Sequence, residues 1–272
     1  MNKTGGECIA IVAYDAGAAS HIFSWLKTGL LKIDQCRFCL DGPAAKLFKV
    51  IQPQIKIFCL EEVFDNAEKL LSGTGWSSSL EHKARMIAKN KGIKSIAVID
   101  NWGEIRERFV RDHIEVLPDI IWVTDEYTYQ EVKRYFSNID IVEKRNDYIK
   151  IQVDEVLSYK IDKQKDTTNV LYVLEPIRES WQGVGQLGEF QALDFFVNSI
   201  PNLNFGKNIS IILKPHPSES ENKYDLWLNS SSLSNITIDN HKNLASLLAW
   251  SDVVVGCETY AMVVALELKK RV

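Results

Sequence analysis

Short apolar runs alternate with segments of helical periodicity along most of the chain. The first run, Cys8 to Tyr14, leads through a small-residue turn into a helical pattern that carries Ile22 and Trp25. This alternation is typical of βα units, in which a parallel sheet is covered by helices on both faces. The pattern therefore predicts an α/β fold built from Rossmann-like units.

Two blocks of this alternation are separated by a polar segment. Residues 160–168 mix lysines, aspartates and threonines without periodicity, which is typical of a linker. We therefore expect two Rossmann-like domains, over residues 1–160 and 168–272. Strands are predicted before the linker at Cys8 to Tyr14, Cys36 to Leu40, Ile55 to Leu60, Lys69 to Ser72, Ser95 to Asp100 and Ile120 to Thr124. After it, strands are predicted at Asn169 to Leu174, Ile209 to Lys214, Asn235 to Ile238 and Asp252 to Val255, and helices at Phe190 to Ser199, Lys242 to Trp250 and Thr259 to Lys270.

The last three residues, Lys270 to Val272, look like the beginning of a further strand. A strand that starts without continuing does not complete a sheet. We therefore expect the C-terminal domain to lack its last elements.

Composition and charge exclude several classes of protein. With 46% hydrophobic and 25% charged residues, the chain is neither disordered nor fibrous. Its 32 basic and 36 acidic residues leave a net charge of −4, so no overall basic field holds a nucleic acid. No apolar run approaches the ~18 residues of a membrane span, and no signal peptide is evident. We expect a cytoplasmic protein without a transmembrane segment; peripheral membrane contact and oligomeric state stay open.

The five cysteines lie mostly in apolar runs. Cys36 and Cys39 have the CxxC spacing, but no second cysteine pair or histidine pair completes a zinc site. We expect buried structural thiols, no metal site and no resident cofactor. A redox or metal role for this pair is the alternative.

Two loops of the N-terminal domain carry small and polar residues directly after predicted strands, where parallel sheets build their ligand crevices. Asp15, Gly17 and His21 follow the first strand; Asp15 can act as a general base, and His21 can bind an anion or carry a proton. The alternative is a structural turn. The next loop carries Gly73, Thr74 and Gly75 ahead of a helix, and its backbone N–H groups can cradle a polar ligand. The alternative there is a serine helix cap.

Two further loops follow later strands of this domain. Asp100, Asn101, Trp102 and Arg106 combine carboxylate, amide, indole and guanidinium groups, a set that suits a carbohydrate; a solvated helix is the alternative. The acidic residues of Asp125 to Tyr129 are interpreted as the start of a helix, where the helix dipole favours negative charge.

The strongest signal lies after the predicted strand Ile209 to Lys214. Two prolines hold His216 in an extended turn. Lys214 and His216 can donate to a phosphate, while Ser218 and Glu219 follow and Glu219 can accept from ribose hydroxyls. The alternative is a solvent-exposed turn.

A second C-terminal motif consists of Gly256 followed by a helix that opens with Thr259. Free N–H groups at a helix start form an anion site, and simple N-capping by Thr259 is the alternative. Because the two motifs belong to neighbouring units of one predicted sheet, we expect them to meet at a single phosphate.

On these residues, the C-terminal half resembles the nucleotide-binding domain of GT-B glycosyltransferases. Lys214 to Glu219 is similar to the His-Pro motif of bacterial sialyltransferases and CDP-glycerol polymer transferases, and Thr259 matches their phosphate-contacting hydroxyl. UDP-N-acetylglucosamine 2-epimerases share the fold and a Lys-x-His-Pro segment, but their Ser-Gly-Gly loop is absent around Gly256. Asp15 to Gly17 matches the general-base motif of the sialyltransferases only partly.

The resemblance implies a metal-independent glycosyltransferase that moves a sugar from a nucleotide sugar, with a CMP-linked donor as one candidate, to a glycan acceptor in bacterial surface polysaccharide synthesis. Asp15 would be the base, and His216 would stabilise the leaving phosphate. A nucleotide-sugar 2-epimerase or hydrolase, or an inactive nucleotide-binding module, is the alternative. The expected donor-binding residues are Lys214, Ser218, Glu219, Gly256 and Thr259. The expected acceptor-binding residues are Gly17, His21, Gly73, Thr74, Gly75, Asp100, Asn101, Trp102 and Arg106.

Overall fold

The computed structural model describes residues 7–177, 185–206, 208–216, 219–231, 235–257 and 259–272. Ser218, one of the expected donor-binding residues, lies outside the described residues. The chain divides into two compact units, Met1–Tyr148 and Ile149–Val272. In the described part of the chain, no helix is long and apolar enough to cross a membrane.

The first unit is a doubly wound α/β domain. Its strands are β1 (Ile9–Ala13), β2 (Cys36–Leu40), β3 (Lys69–Ser72), β4 (Lys94–Val98), β5 (Val110–Arg111), β6 (Ile114–Glu115), β7 (Ile120–Val123) and β8 (Asp140–Glu143). Its helices are α1 (Ala16–Lys27), α2 (Gly42–Ile51), α3 (Leu80–Lys91) and α4 (Glu126–Tyr135), with 3₁₀ turns at Ile33–Gln35, Glu62–Phe64 and Glu107–Phe109. Among the residues described here, six strands pair in parallel in the order β2-β1-β3-β4-β7-β8, and β5 and β6 form an antiparallel ribbon.

Strand β1 is buried on both faces. Ile11 and Ala13 pack with Trp25 of α1 on one face, whereas Ala10 and Val12 pack with residues of α3 on the other. All four strand residues are fully buried. A strand covered on both faces reads as a continuous apolar run rather than an alternating one, which explains why this element was clear from the sequence.

The order of the strands determines where a ligand crevice forms in the first unit. The chain passes from β1 to β2 on one side of β1, and then to β3 on its other side. Ligands of open α/β sheets bind outside the carboxyl ends of the strands at such a reversal. We therefore define the N-terminal crevice by the loops after β1 (residues 14–15) and after β3 (residues 73–79).

The boundary between the units falls within the helix α5 (Asp147–Ser158). Ile149, Val153 and Val156 of this helix pack into a hydrophobic core of the second unit. In the polar segment that follows, Lys163 donates hydrogen bonds to the Ser251 carbonyl at 3.0 Å and to Asp252 at 2.7 Å. The sequence placed α5 in the first domain and the polar segment between domains, because polarity alone does not show which core anchors a segment.

The second unit has a smaller sheet of the same kind. Its strands are β9 (Thr167–Val173), β10 (Asn208–Lys214), β11 (Ile236–Ile238) and β12 (Val253–Val255). Its further helices are α6 (Gly188–Ser199), α7 (Asp225–Ser230), α8 (Leu244–Trp250) and α9 (Tyr260–Glu267), with a 3₁₀ turn at Ile200–Asn202. Within the described residues, four strands pair in parallel in the order β11-β10-β9-β12. The chain adds β10 and β11 on one side of β9 and β12 on its other side, so the C-terminal crevice lies at the carboxyl ends of β9 and β12.

Most predicted strands agree with the structure to within about two residues, a normal boundary error, but Ile55 to Leu60 is not a strand. That segment lies beside the edge strand β2 and makes a single parallel bridge to it, between Ile57 and Phe38. The Phe58 ring packs under the Arg37 guanidinium, and the backbone pairing with β2 does not continue. β8 was not predicted, since a short strand with acidic residues at both ends carries a weak signal.

Residues after α9 lie beside β12. Arg271 forms a parallel bridge with Val253, and its carbonyl accepts a hydrogen bond from the Val254 N–H at 2.9 Å. The bridge lies within Lys270 to Val272, the residues that the sequence predicts as the beginning of a further strand.

Candidate functional site

Three carboxylates lie against glycines of the N-terminal crevice, so closely that a Cβ atom on any of these glycines would overlap a carboxylate oxygen. The pairs are Gly17 with Asp100, Gly73 with Glu81, and Gly75 with Asp15. Only glycine leaves room for this approach. The small residues singled out in the sequence therefore serve to seat acidic side chains at the carboxyl ends of β1, β3 and β4.

Arg108 holds the acidic end of β4 in place. Its guanidinium donates to Asp100 Oδ1 at 2.8 Å and to Asn101 Oδ1 at 2.7 Å, and also to the Thr74 hydroxyl and the Gly103 carbonyl. Arg108 is only 4% exposed. Charge-assisted bonds from a buried, planar guanidinium fix geometry strongly, so Asp100 and Asn101 have defined positions at the rim of the sheet.

The loop after β3 is held by a second buried guanidinium. Arg85 of α3 donates to the Gly73 carbonyl at 3.0 Å and to the Ser72 hydroxyl at 3.3 Å. Burial lowers the pKa of Arg85 to about 10, which still leaves it charged at neutral pH. Thr74 is fully buried and donates to the Val98 carbonyl at 2.8 Å, so its hydroxyl ties β3 to β4.

Glu81, in the first turn of α3, is a site residue that sequence reasoning missed. It is 1% exposed, and its Oε1 accepts a hydrogen bond from the Tyr14 N–H at 3.0 Å. Among the described residues its buried Oε2 has no hydrogen-bond partner. Burial raises the pKa of Glu81 to about 7, against the lowering effect of the Tyr14 amide and Arg85; the charge of Asp15 raises it further, and the Gly75 amide lowers it.

Exposed aromatic side chains border this acidic edge. Trp76, Trp102 and Tyr127 are 51%, 52% and 61% exposed and follow β3, β4 and β7, which are adjacent in the sheet. Trp102 and Tyr127 meet edge to face with ring centroids 5.7 Å apart, and the Arg108 guanidinium lies 5.5 Å from the Trp76 ring centre. Aromatic faces beside carboxylates can stack on the C–H faces of a sugar while the acids bind its hydroxyls.

Two expected acceptor-binding residues lie elsewhere. His21 is 2% exposed and packs against Tyr148 and Trp25, with ring centroids 5.5 Å and 6.2 Å away. Burial lowers its pKa, although the charges of Asp100 and Asp125 oppose this, so it is neutral in the core. Arg106 lines a shallow groove of about 470 Å³ together with residues 137–139, which directly precede β8.

The interpretation of Asp125 to Tyr129 as a helix start is confirmed. Asp125 caps α4: its carboxylate accepts from the Thr128 N–H at 2.7 Å and from the Thr128 hydroxyl at 2.8 Å.

None of the five cysteines, all of which lie among the described residues, forms a disulfide bond. The expectation of buried thiols is right for Cys39 but wrong for Cys59, which is exposed, while the others are half-buried. Cys36 and Cys39 are three positions apart on β2 and therefore point to opposite faces of the sheet. Burial raises their pKa values to about 12 and about 11. In the part of the chain that is described, no three His, Cys, Asp or Glu side chains are grouped so as to hold a metal ion.

The C-terminal crevice is formed by close backbone packing beside the start of α9. A Cβ atom on Gly256 would lie 2.7 Å from Thr259 Cγ2 and 3.2 Å from the Val173 carbonyl oxygen at the end of β9. Thr259 is the N-cap of α9, and its hydroxyl accepts from the Ala261 N–H at 3.3 Å. The Met262 N–H also donates within the turn, to the Thr259 carbonyl at 3.0 Å, so the positive end of the helix dipole is what this helix start offers to an anion.

The His-Pro segment lies on the far side of β9 from this helix. The sequence predicts the two motifs on neighbouring units of one sheet. In the structure, strand β9 separates β10 from β12, so the two motifs follow strands that are not adjacent. The Lys214 ammonium donates to the carbonyls of Asp239 and Asn240 at 3.3 Å and 3.2 Å, on the β11 side; burial lowers its pKa and Asp239 opposes this. The Lys214 ammonium is thus held on the side of β10 that faces β11.

The other described residues of this segment form a turn. The Glu219 N–H donates to the His216 carbonyl at 2.9 Å. The Glu219 carboxylate is buried in an ion pair with Lys223, which also pairs with Glu189. His216 itself is exposed, so of the side chains Lys214, His216 and Glu219, the imidazole is the one that faces solvent.

No family model and no curated protein matches this sequence. Solved structures do resemble it. The co-structure of S. aureus MnaA with UDP superposes with a TM-score of 0.60 at 10% identity, covering 94% of this chain and 75% of that one. The glycotransferase of kitacinnamycin gives 0.51 at 12% identity, over 94% and 77%. Acinetobacter baumannii MurG gives 0.49 at 11%, over 92% and 71%.

These likenesses bear on the fold. The matches to MnaA and to the kitacinnamycin glycotransferase extend over both units. Together with the two parallel, doubly wound sheets, they confirm the predicted fold class: an α/β chain of two Rossmann-like units, as in GT-B enzymes.

Proposed function

We propose that this protein is a GT-B-type glycosyltransferase that moves a sugar from a nucleotide sugar to a hydroxyl group of a glycan. The observation that carries the proposal is the N-terminal crevice, where the Asp15 carboxylate lies at the strand reversal beside acids and exposed aromatic rings. Carboxylates and aromatics in a crevice are the chemistry that a sugar acceptor requires. Fold likeness alone would not specify a function.

In the proposed reaction, Asp15 is the general base. An acceptor hydroxyl attacks the anomeric carbon of the donor, its proton passes to the Asp15 carboxylate, and the bond between the sugar and the phosphate oxygen breaks. The electron pair of that bond leaves with the nucleotide. Asp15 is half-buried and seated on Gly75, so it is both accessible and fixed in position.

The nucleotide is assigned to the second unit. The positive end of the α9 dipole stabilises the negative charge that develops on the leaving phosphate; the Gly256 backbone permits close approach. The exposed His216 supplies a donor. A pyrimidine nucleotide is the preferred donor group, since MnaA was solved with UDP and the His-Pro segment resembles that of cytidine-nucleotide enzymes. Lys214 and Glu219 support the segment through their own contacts.

The acceptor is assigned to the first unit. Asp100 and Asn101, held by Arg108, present oxygen atoms of fixed position, and Trp102 with Tyr127 offers an exposed ring surface next to them. A glycan of the bacterial surface is the acceptor class that fits this role.

A nucleotide-sugar 2-epimerase or hydrolase is the second candidate. One observation favours it: the chain superposes on MnaA, which was solved with UDP, over 94% of its length with a TM-score of 0.60. This reading needs no glycan acceptor.

The experiment begins with the melting temperature of the protein in the presence of CMP, CDP, UDP or GDP. Stabilisation by a pyrimidine nucleotide is expected, because a ligand that binds only the folded state raises its stability. Stabilisation by none of the four would favour an inactive module. Incubating the protein with CMP- and UDP-sugars, with and without a glycan mixture, then separates the two enzyme classes, since only the second candidate releases nucleotide or an epimer without acceptor.

Two variants test the assigned roles. Asp15→Asn and His216→Ala should each lower transfer by about 10²-fold or more while unfolding at the same urea concentration as the wild type. Glu126→Gln, an exposed acid in the first turn of α4, is the matched control and should remain active. Full transfer activity in both Asp15→Asn and His216→Ala would overturn the proposal.

A further inference from the structure

The buried Glu81 carboxylate joins the two loops that form the N-terminal crevice. Its Oε1 accepts from the Tyr14 N–H in the loop after β1. The same oxygen lies against Gly73 in the loop after β3. Tyr14 directly precedes Asp15, and Asp15 in turn rests on Gly75. Glu81 thus holds the loops after β1 and β3, and Asp15 rests on the second of these loops.

We propose that Glu81 is a positioning residue for Asp15: from beneath the crevice, it holds together the loops after β1 and β3, and its charge acts on the Asp15 carboxylate. Glu81 cannot touch a substrate itself, because it is 1% exposed. This inference rests on the proposed function for the role of Asp15 as a base, whereas the coupling of the two carboxyl groups stands without it.

The charged groups around Glu81 determine how it behaves. Arg85 lies one turn further along α3, and Asp15 comes from the loop after β1. Arg111 of β5 donates to the Gly75 carbonyl at 2.6 Å from the ribbon side. One cation and one anion face the carboxyl group directly, so neither charge dominates and burial decides its protonation.

The consequence is a base whose strength changes with pH. Below neutral pH, Glu81 keeps its proton and is uncharged, so the crevice lacks a second negative charge beside Asp15. When Glu81 loses its proton, two negative charges lie close together and repel each other. Asp15 then takes the acceptor proton more readily. Glu81 also keeps the loops aligned in both states, since an acid and a carboxylate both offer Oε1 as an acceptor.

The first test follows the side-chain carboxyl carbons of glutamate, labelled with ¹³C, by NMR as the pH is changed. One glutamate signal should titrate near pH 7, be absent from Glu81→Gln, and titrate at lower pH in Asp15→Asn, where the neighbouring charge is gone. Glu126→Gln is the matched control and should leave that signal unchanged. A Glu81 signal whose midpoint is the same in Asp15→Asn and the wild type would overturn the coupling.

The second test is the pH profile of kcat/KM for sugar transfer. Wild-type activity should rise with pH through about 7, and Glu81→Gln should lose this rise and be about tenfold slower above it, with an unchanged KM for the nucleotide sugar. Glu81→Asp, which restores the charge on a shorter side chain, should recover part of the rise. A wild-type pH profile in Glu81→Gln would overturn the positioning role.

The two tests separate the two proposals. If the wild-type protein transfers no sugar, the proposed function fails while the carboxyl titration still decides the coupling. If transfer occurs but the glutamate signal near pH 7 is absent, the coupling fails and the proposed function stands.

Discussion

The carboxylate of Asp100 occupies the space that a Cβ atom on Gly17 would require. The side-chain carboxylate that follows β4 thus packs directly against the backbone of the first turn of α1. Arg108 prevents Asp100 from moving away, because it holds Oδ1 at 2.8 Å.

Gly17→Ala should therefore lower the free energy of unfolding by about 1–3 kcal/mol, the usual cost of overpacking, even though alanine is the better helix former. Urea unfolding measures this loss. Gly103→Ala is the control, since the only near atom there is the Asn101 side-chain oxygen at 3.2 Å, and its midpoint should hardly change. Equal midpoints for the wild type and Gly17→Ala would contradict the packing described.

Arg108→Ala should cost about 3–5 kcal/mol, because it leaves the Asp100 carboxylate without its buried partner. Arg106→Ala is a close control two positions earlier: that side chain is 68% exposed and lies 3.8 Å from Glu115, so its loss should change stability by about 0.5 kcal/mol or less. Urea unfolding of the two variants measures the contrast. Similar effects at both positions would show that the Arg108 pair contributes little.

The crevice-forming loops could be predicted from the sequence because they follow apolar strands. Gly73 and Gly75 are visible as small residues after β3, and the position of a loop in a parallel sheet then follows from topology. What the sequence does not show is which side chain fills the space above each glycine. An acid in the first turn of a helix, such as Glu81, is fully explained by the helix dipole, and its burial depends on Tyr14, 67 positions earlier.

Lys214 illustrates the same limit in the second unit. A lysine beside a histidine at a strand end predicts a phosphate donor, but the carbonyls that accept from its ammonium belong to Asp239 and Asn240, 25 and 26 positions later. Their arrival beside β10 depends on β11 pairing there. The order β10-β9-β12 is likewise a property of the whole sheet, so no local pattern could place Thr259 relative to Lys214.

Thr259→Val should lower the free energy of unfolding by about 1 kcal/mol, because it removes the hydroxyl that accepts from the Ala261 N–H. The same variant should bind CMP or UDP more weakly, measured by isothermal titration calorimetry, since the first turn of α9 loses its alignment. Thr259→Ser keeps the hydroxyl and should retain both properties. Unchanged nucleotide affinity in Thr259→Val would argue against an anion site at this helix.

The free energy of unfolding should depend on pH differently in Glu81→Gln and in the wild type. The pKa of Glu81 is raised from 4.5 to about 7 in the folded protein, while the unfolded chain keeps the ordinary value. Between these two pH values the folded state binds more protons than the unfolded state. The stability that Glu81 contributes is therefore complete below pH 4.5 and is lost as the pH rises through about 7. A pKa difference of this size corresponds to about 3 kcal/mol.

Glutamine does not titrate, so the stability of Glu81→Gln relative to the wild type should rise by about 3 kcal/mol between about pH 4 and about pH 8. Urea unfolding at a series of pH values measures this difference directly. Glu126 is exposed, so Glu126→Gln should run parallel to the wild type over the same range. A stability difference for Glu81→Gln that does not change with pH would mean that Glu81 ionises equally well in the folded and unfolded states. The Glu81 carboxyl would then not be a group that titrates near pH 7 beside Asp15.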